Sequence, residues 1–599
     1  MKNSIAIIGL LFCVHVAFVN AQYVVKNQTE LEQLQQLPLE KIYVHYNTNL
    51  LFPGEYVYYS VYCINAQTNR LSNISRMAYI ELVDSDLTTR ITQKVRLEAG
   101  RAQGDFFIPV SIPSGNYKLI AYTQWMKNAG QDQLFQDDIT IINPYRSDQE
   151  AITSGKEDLQ EGQDLEIGQK GPETVNKGKK DDGTLVLITD NQKYGQRKKV
   201  SLTPRNFKGP LGYGNYSISV RRIDEFDKNG RLDAYDFSNT FLSAAKSITK
   251  AVNDSIALPE QRGELFYGNV RTREGGLPVA GKTVVISIPG TDFQLRSAIT
   301  DDDGNFYTYI RKEYDIDTMV AQLIDNSPEN YVVQFLDKPG IEYKGLNFGN
   351  FSISKEMSDA IVSRSVYNQI ENAYYGVKPD SILAIDEKDP FDGGVPVVVN
   401  LDEFTRFNTL RETLVEVVPN VWVTKLDNGE YTFWVKEDLE PYDEQYASDP
   451  PLVLVDGVFV PDHGKLLDYN ARTIKRLNIL RDPLMMGSNK YHGMVVIETN
   501  DGDYLERTED ANMARKELKL PAAKKNYYQQ RYGAEGDKNF ERVPDFRYQL
   551  FWEPNLVIQN DVVSYEFYTS DVPGEYEIVL EGFTTYGKPI SVRETIMVE

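Results

Sequence analysis

Apolar residues in this chain come in short alternating runs closed by turn residues, and that spacing most constrains the fold. Tyr56-Val57-Tyr58-Tyr59-Ser60-Val61-Tyr62, Met77 to Val83 and Asn116 to Tyr122 follow it, with Pro53-Gly54 and Pro113-Ser114-Gly115 as punctuation. A period of two belongs to a strand with one dry and one wet face. Residues 39–145 are therefore predicted to form an antiparallel β-sandwich. The pattern returns at Thr184 to Ile188, at Asn215 to Val220, at Gly281 to Ile288 and in Tyr576, Ile578 and Leu580. A chain of 599 residues has room for about four domains of ordinary size.

The interruptions set the expected boundaries. Aromatic residues vanish between Ser147 and Gly183 while charged residues, Gln and Gly accumulate, so 146–183 reads as a flexible linker. Residues 184–258 read as a second β domain with a helix at Phe237 to Val252, 259–350 as a further sandwich, and 351–400 as a connecting segment. In 401–500, Thr409 and Glu412 fit a capping box, and Leu410, Leu414, Val417 and Val418 share one helical face up to Pro419. Asp427-Asn428-Gly429 and Asp456-Gly457 mark hairpins, and strands are expected at Ile474 to Leu480 and Met494 to Thr499. An extended connector, 501–542, and a terminal sandwich, 543–599, complete a mainly β fold with one small α+β domain.

Lys2, the apolar run Ile5 to Phe18 and Val19-Asn20-Ala21 read as an export signal over residues 1–21, with Cys13 inside it. Cys63 is then the one thiol of the mature chain, so an internal disulfide is not expected. No later run of about 20 apolar residues is present to span a bilayer. With 87 acidic against 64 basic residues the net charge is −23, which argues against a nucleic-acid partner.

Few motifs carry chemistry. Gly276 to Thr283 matches the phosphate-loop pattern G-x-x-x-x-G-K-[ST], but the β-branched run Val284 to Ile288 predicts a strand where a phosphate site needs a helix N-terminus. Glu225, Asp227, Asn229, Asp233 and Asp236 fall near calcium-loop spacing, with Gly230 at the sharp turn. Glu at the first position and Asp at the last depart from that pattern, so the reading is a solvated acidic turn, with weak calcium binding as the alternative. Asp301-Asp302-Asp303-Gly304 reads as a hairpin turn. Ser243/Lys246 and Ser247/Lys250 fit S-x-x-K back to back, without a K-T-G companion. His45, His463 and His492 have no metal-motif spacing. No catalytic, cofactor or structural metal site is assigned, and the chain is expected not to be an enzyme.

Several stretches carry resemblances. Lys41 to His45, Leu51 to Glu55, Met77 to Asp84 and Pro113 to Tyr117 with Ala121 to Met126 resemble the second macroglobulin-type domain of exported Bacteroidota proteins. Gly268-Asn269-Val270, Pro278 to Gly281 and Thr300 to Phe306 resemble a carboxypeptidase-regulatory-like sandwich. Leu452 to Val458, Ile474 to Asp482, Gly487 and Gly493 to Ile497 resemble the plug domain of TonB-dependent receptors, and Val543 to Arg547, Leu550 to Asn555 and Tyr568 to Gly574 the sandwich that follows such units.

The departures from those families matter as much. A receptor barrel needs hundreds of residues after its plug, and about a hundred follow Thr499 here. Cys63-Ile64-Asn65-Ala66 lacks the Cys-Gly-Glu-Gln thioester of macroglobulin protease traps. The resemblance implies a non-enzymatic exported scaffold at the outer membrane, in the periplasm or at the cell surface, docked on an outer-membrane barrel or another envelope protein. A surface glycan- or peptide-binding module and an uncharacterised hydrolase are the alternatives. Leu452, Val455, Val458 and Phe459, apolar on both faces of one hairpin, are the candidate partner-binding residues; cover by neighbouring domains is the other reading of the same pattern.

Overall fold

In the computed structural model the residues described are 23–147, 149, 152, 183–223, 230–243, 248, 250–384, 389–436, 449–508, 510, 512–533, 541–560 and 562–599. The expected signal segment and most of the expected linker lie outside them. No described helix is long and apolar enough to cross a membrane.

The fold is mainly β. The first sandwich pairs a three-stranded sheet (Glu40–Tyr46, Tyr56–Asn65, Arg101–Phe107) with a five-stranded one in the order Leu50–Leu51, Phe135–Ile141, Gly115–Tyr122, Met77–Val83, Thr89–Arg96. Val57, Tyr59, Val61 and Cys63 face its core. Ser60 and Tyr62, on the opposite face of the same strand, are also buried, because a second sandwich covers that side.

This second sandwich overturns two expected boundaries. Leu185–Thr189 and Lys199–Asn206 form one sheet with Tyr565–Tyr568, and Gly214–Arg222 lies between Gly574–Thr584 and Gln549–Ile558 in the other. The segments expected as separate domains, 184–258 and 543–599, thus share one core, with Val200, Ile218, Phe567 and Leu580 packed together. Alternation within a strand fixes its faces but carries no information about its partner, and here the partner is hundreds of residues away.

The chain between Arg222 and Gln549 is therefore an insertion, and it contains a further one. A third sandwich is built from Glu264–Thr272, Asn305–Ile310 and Tyr331–Leu336 against Thr283–Ile288, Gln294–Ile299, Thr318–Ile324 and Met513–Glu517. Met513–Glu517 comes from the expected connector, and its pairing with Thr318–Ile324 makes that stretch part of a core. Asp301 to Gly304 is not a hairpin turn: Gln294–Ile299 and Asn305–Ile310 belong to opposite sheets, so the turn carries the chain across the sandwich.

Inside this third sandwich sits the α+β unit. Its sheet runs Val397–Asn400, Ile474–Met486, Asn489–Thr499, Leu452–Val455, Val458–Phe459, with Leu452–Val455 parallel to Asn489–Thr499. Thr409 and Glu412 exchange the two hydrogen bonds of a capping box ahead of helix Leu410–Glu416, whose Leu410 and Leu414 face the core. The expected Phe237 to Val252 helix starts earlier, as Ala234–Phe237 capped by Asp233, and widens to a π-type turn over Ser238–Leu242. The residues after Ser243 are only partly described.

Candidate binding clefts at the domain junctions

Most sequence-marked candidates are consumed by structure. Of the calcium candidates, Glu225, Asp227 and Asn229 lie outside the described residues. Asp233 accepts the Asp236 N–H at 2.8 Å as a helix cap, and Arg231 donates to the carbonyls of Tyr46 and Asn47. Among the described residues no three His, Cys, Asp or Glu side chains are grouped to hold a metal ion. After Gly281 the chain enters strand Thr283–Ile288 directly, and Lys282 is paired with Asp325 and lies over the Tyr331 ring. Of the S-x-x-K residues, Lys246 and Ser247 lie outside the described residues.

The hairpin offered as a docking face is corrected by its burial. Leu452, Val455, Val458 and Phe459 are at most 3 % exposed. Leu452 and Phe459 pack with Val285 and Phe293 of the third sandwich, while Val455 faces the core of the α+β unit. Apolar residues on both faces of the hairpin answer to two cores of this chain, so those four side chains are not open to a partner.

Buried titratable groups serve the junctions. Between the first two sandwiches, Glu581 accepts from Tyr43 Oη (3.1 Å), the Ala234 N–H (3.0 Å) and Ser591 Oγ (2.7 Å). Burial, only partly offset by Arg593, pushes its carboxyl up to about 7. His45 Nδ1 lies 2.6 Å from Ser217 Oγ, and burial pulls this imidazole well below its ordinary value. His463 Nδ1 accepts the Phe433 N–H at 3.0 Å, and burial lowers its pKa to about 4. Burial raises the Cys63 thiol well above its usual range, with Glu40 adding to the effect, the opposite of what a reactive thiol needs. Between the first and third sandwiches Lys94 bonds both Glu264 oxygens, at 2.6 and 2.7 Å, and Lys338 bonds Glu260 at 2.8 Å. Helix Ser358–Ala373 docks on the first sandwich through Arg364, which grips Glu55 at 3.0 and 2.8 Å.

Two large clefts open among the described residues. The larger, about 1010 Å³, lies between the first and third sandwiches and a turn of the connecting segment, and it is rich in arginine. Its carboxylates are engaged. Glu98 pairs with Lys524, Glu313 with Lys524 and Arg96, and Asp392 with Lys312 and Arg296. Asp389 accepts N–H groups from Phe391 and Gly393. Arg96 is further spent on the carbonyls of Arg311 and Lys312. The guanidinium groups of Arg76, Arg262 and Arg311 have no hydrogen-bond or ion-pair partner among the described residues. Arg262 and Arg311 are exposed and Arg76 is half-buried.

The second cleft, about 690 Å³, is apolar at its mouth: Pro53, Phe107, Val110, Tyr145 and Tyr375 line it with Gln369 and Asn372. Tyr56 and Tyr375 stack at 5.7 Å with their rings 12° apart. Sequence reasoning missed both clefts because each is assembled from segments far apart in the chain, and no local periodicity marks an arginine or tyrosine as lining a junction.

No family model matches the chain, and no curated protein matches it. Solved structures that superpose on it include Escherichia coli alpha-2-macroglobulin activated by porcine elastase, at 8 % identity over 94 % of this chain and 44 % of that one, with a TM-score of 0.23. Salmonella alpha-2-macroglobulin reacted with methylamine matches at 9 % identity over 96 % and 40 %, with a TM-score of 0.20. The Escherichia coli adhesin FdeC matches at 10 % identity over 48 % and 59 %, with a TM-score of 0.13. The chain spans less than half the length of these macroglobulins. Superpositions this loose leave the description of the fold to the strand pairing itself.

Proposed function

We propose that this protein is a non-enzymatic, exported scaffold of the bacterial outer membrane that holds another envelope protein, a barrel complex for transport, secretion or assembly, through the basic cleft. The observation that carries the reading is the trio Arg76, Arg262 and Arg311, unpartnered among the described residues while every carboxylate around them is engaged. In a chain of net charge −23, three guanidinium groups unpartnered among the described residues and gathered in one cleft suit an acidic segment on the partner. The engagement of His45, His463, Cys63 and Glu581 in junction and core packing supports a role without catalysis.

The test is recovery of partners from detergent-solubilised envelope by the wild-type chain and by Arg76→Glu/Arg262→Glu/Arg311→Glu. A barrel protein should accompany the wild type, fall away as salt is raised, and be absent from the triple variant. Equal recovery by both would remove the cleft from the interaction.

A further inference from the structure

The loops at one end of the second sandwich present apolar side chains to solvent. Phe207 and Leu211, between strands Lys199–Asn206 and Gly214–Arg222, are 56 % and 61 % exposed, and Tyr586, between Gly574–Thr584 and Pro589–Val598, is 56 % exposed. The two loops are tied together, since the Thr585 N–H donates to the Tyr213 carbonyl at 2.7 Å. These side chains stand on loop tips, and neither cleft described above is lined by them.

Local hydrogen bonds hold the first loop in shape. Asn206 accepts the Lys208 N–H at 3.0 Å and donates to the Gly209 carbonyl at 2.8 Å, and Gly209 takes φ +53°. The Leu211 and Tyr213 N–H groups donate to the Lys208 and Pro210 carbonyls, both at 3.3 Å. Phe207 and Leu211 are thus held outward with little left to order on binding, and these backbone groups are already satisfied, as entry into an apolar medium requires.

Positive charge gathers around the same tips. The Arg205 guanidinium lies over the Phe207 ring at 5.1 Å, and that of Arg70, from a turn of the first sandwich, over the Tyr586 ring at 5.9 Å. Lys208 and Lys588 stand in the two loops. Against these cations, residues 67–70, 205–213, 559–564 and 584–589 hold one acid in sequence, Asp561, which lies outside the described residues. The sequence leading to Gly183 is basic on balance as well, with Lys177, Lys179 and Lys180 against Asp181 and Asp182. In a chain of net charge −23 this end reverses the average.

Apolar and aromatic side chains on fixed tips, flanked by Arg and Lys, suit an interface where acyl chains lie beneath anionic headgroups. A protein partner would need a fitted hollow for each tip; a bilayer needs none, and its negative surface accounts for the cations. We propose that this end of the second sandwich is a contact face for an anionic lipid surface, with Phe207, Leu211 and Tyr586 entering at headgroup level and Arg70, Arg205 and Lys208 among the phosphates. The face is separate from the basic cleft and adds direct lipid contact to the scaffold role.

The experiment is cosedimentation of the full chain with vesicles of three parts phosphatidylethanolamine to one of phosphatidylglycerol, and with vesicles of phosphatidylcholine alone. The wild type should sediment with the anionic vesicles and about tenfold more weakly with the neutral ones. Phe207→Asp/Leu211→Asp and Arg205→Gln/Lys208→Gln should each weaken the anionic binding by about tenfold or more. Melting of both variants should be unchanged, since all four positions are exposed, and recovery of a barrel protein should survive both, which separates this face from the basic cleft. A wild type that binds neither vesicle, binds both equally, or is matched by both double variants would overturn the assignment. Barrel recovery lost in Phe207→Asp/Leu211→Asp, with no vesicle binding by the wild type, would give the face to a protein instead.

Discussion

Ile218 lies opposite Leu580 on one side of its strand and opposite Glu553 on the other, so the centre of one five-stranded sheet is supplied from both halves of the chain. The two ends of the insertion meet, since the Arg222 N–H donates to the Tyr548 carbonyl at 2.9 Å. A chain joining Arg222 to Gln549 through a turn of about four residues should therefore fold alone, with strand-type circular dichroism and one cooperative melt. Residues 184–222 and 549–599 made separately should show neither. A fused chain without a cooperative transition would contradict the shared core.

Glu581 gives the first junction a pH dependence. Its carboxyl moves from 4.5 to about 7 on burial, so between those values the folded form keeps a proton that the unfolded chain has released. Stability therefore falls as pH rises through that window, by roughly 3 kcal/mol in all. His45 and His463, both lowered by burial, act in the opposite sense: their contribution is lost as pH falls below the ordinary imidazole value. The difference between wild type and Glu581→Gln in denaturant melts at several pH values isolates the carboxyl, and it should grow in favour of the variant from pH 5 to 8.

Gly457 has φ +80° beside Asp456 at +48°, and a Cβ on it would stand 2.5 Å from Phe293 Cβ and 3.0 Å from the Gly290 backbone. Gly457→Ala should cost about 2–4 kcal/mol, from turn strain and the clash together. Hydrogen exchange should then quicken in both Leu452–Val455 and Thr283–Ile288. Loss of protection in the α+β unit alone would mean that the two cores are not coupled through this turn.

Arg364 and Glu55 are 3 % and 8 % exposed. Arg364→Met should destabilise the chain by about 3–5 kcal/mol, because a buried carboxylate loses its main partner. Adding Glu55→Gln should recover part of that loss. Protease sensitivity of the 358–373 helix is the readout, and equal sensitivity of single and double variants would argue against the charge as its cause.

Lys282 bridges Asp325 and Tyr331 at a partly exposed site. Lys282→Ala should cost less than about 1 kcal/mol and leave calorimetric titration with ATP as flat as in the wild type. ATP binding by the wild type that disappears in the variant would restore the phosphate-loop reading.

What could be read from the sequence was local. The Thr409/Glu412 box, the Asp427 to Gly429 and Asp456-Gly457 hairpins, and the strand entry after Gly281 rest on contacts a few residues long, and the structure has each of them. Pairing across hundreds of residues was not legible, so Gly214–Arg222 and Gly574–Thr584 read as parts of different domains. The Asp301 turn was misread for a related reason: turn residues specify a reversal, while the sheets it joins depend on neighbours elsewhere. Leu452 and Phe459 were recognised as unusually apolar, but only the third sandwich shows what they are for.

Nesting one unit inside another imposes an order in time. A ribosome delivers the chain from its N-terminus, so Lys199–Asn206 and Gly214–Arg222 emerge early and wait for strands made more than 300 residues later. The first sandwich, complete by Ile141, can close at once, and the inner units close before the outer one. Until Gly574–Val598 arrives, the waiting strands keep bare ladder edges that invite mispairing or holding factors. The split sandwich thus behaves as a clasp that shuts last, and a prematurely ended chain advertises its own incompleteness through those edges.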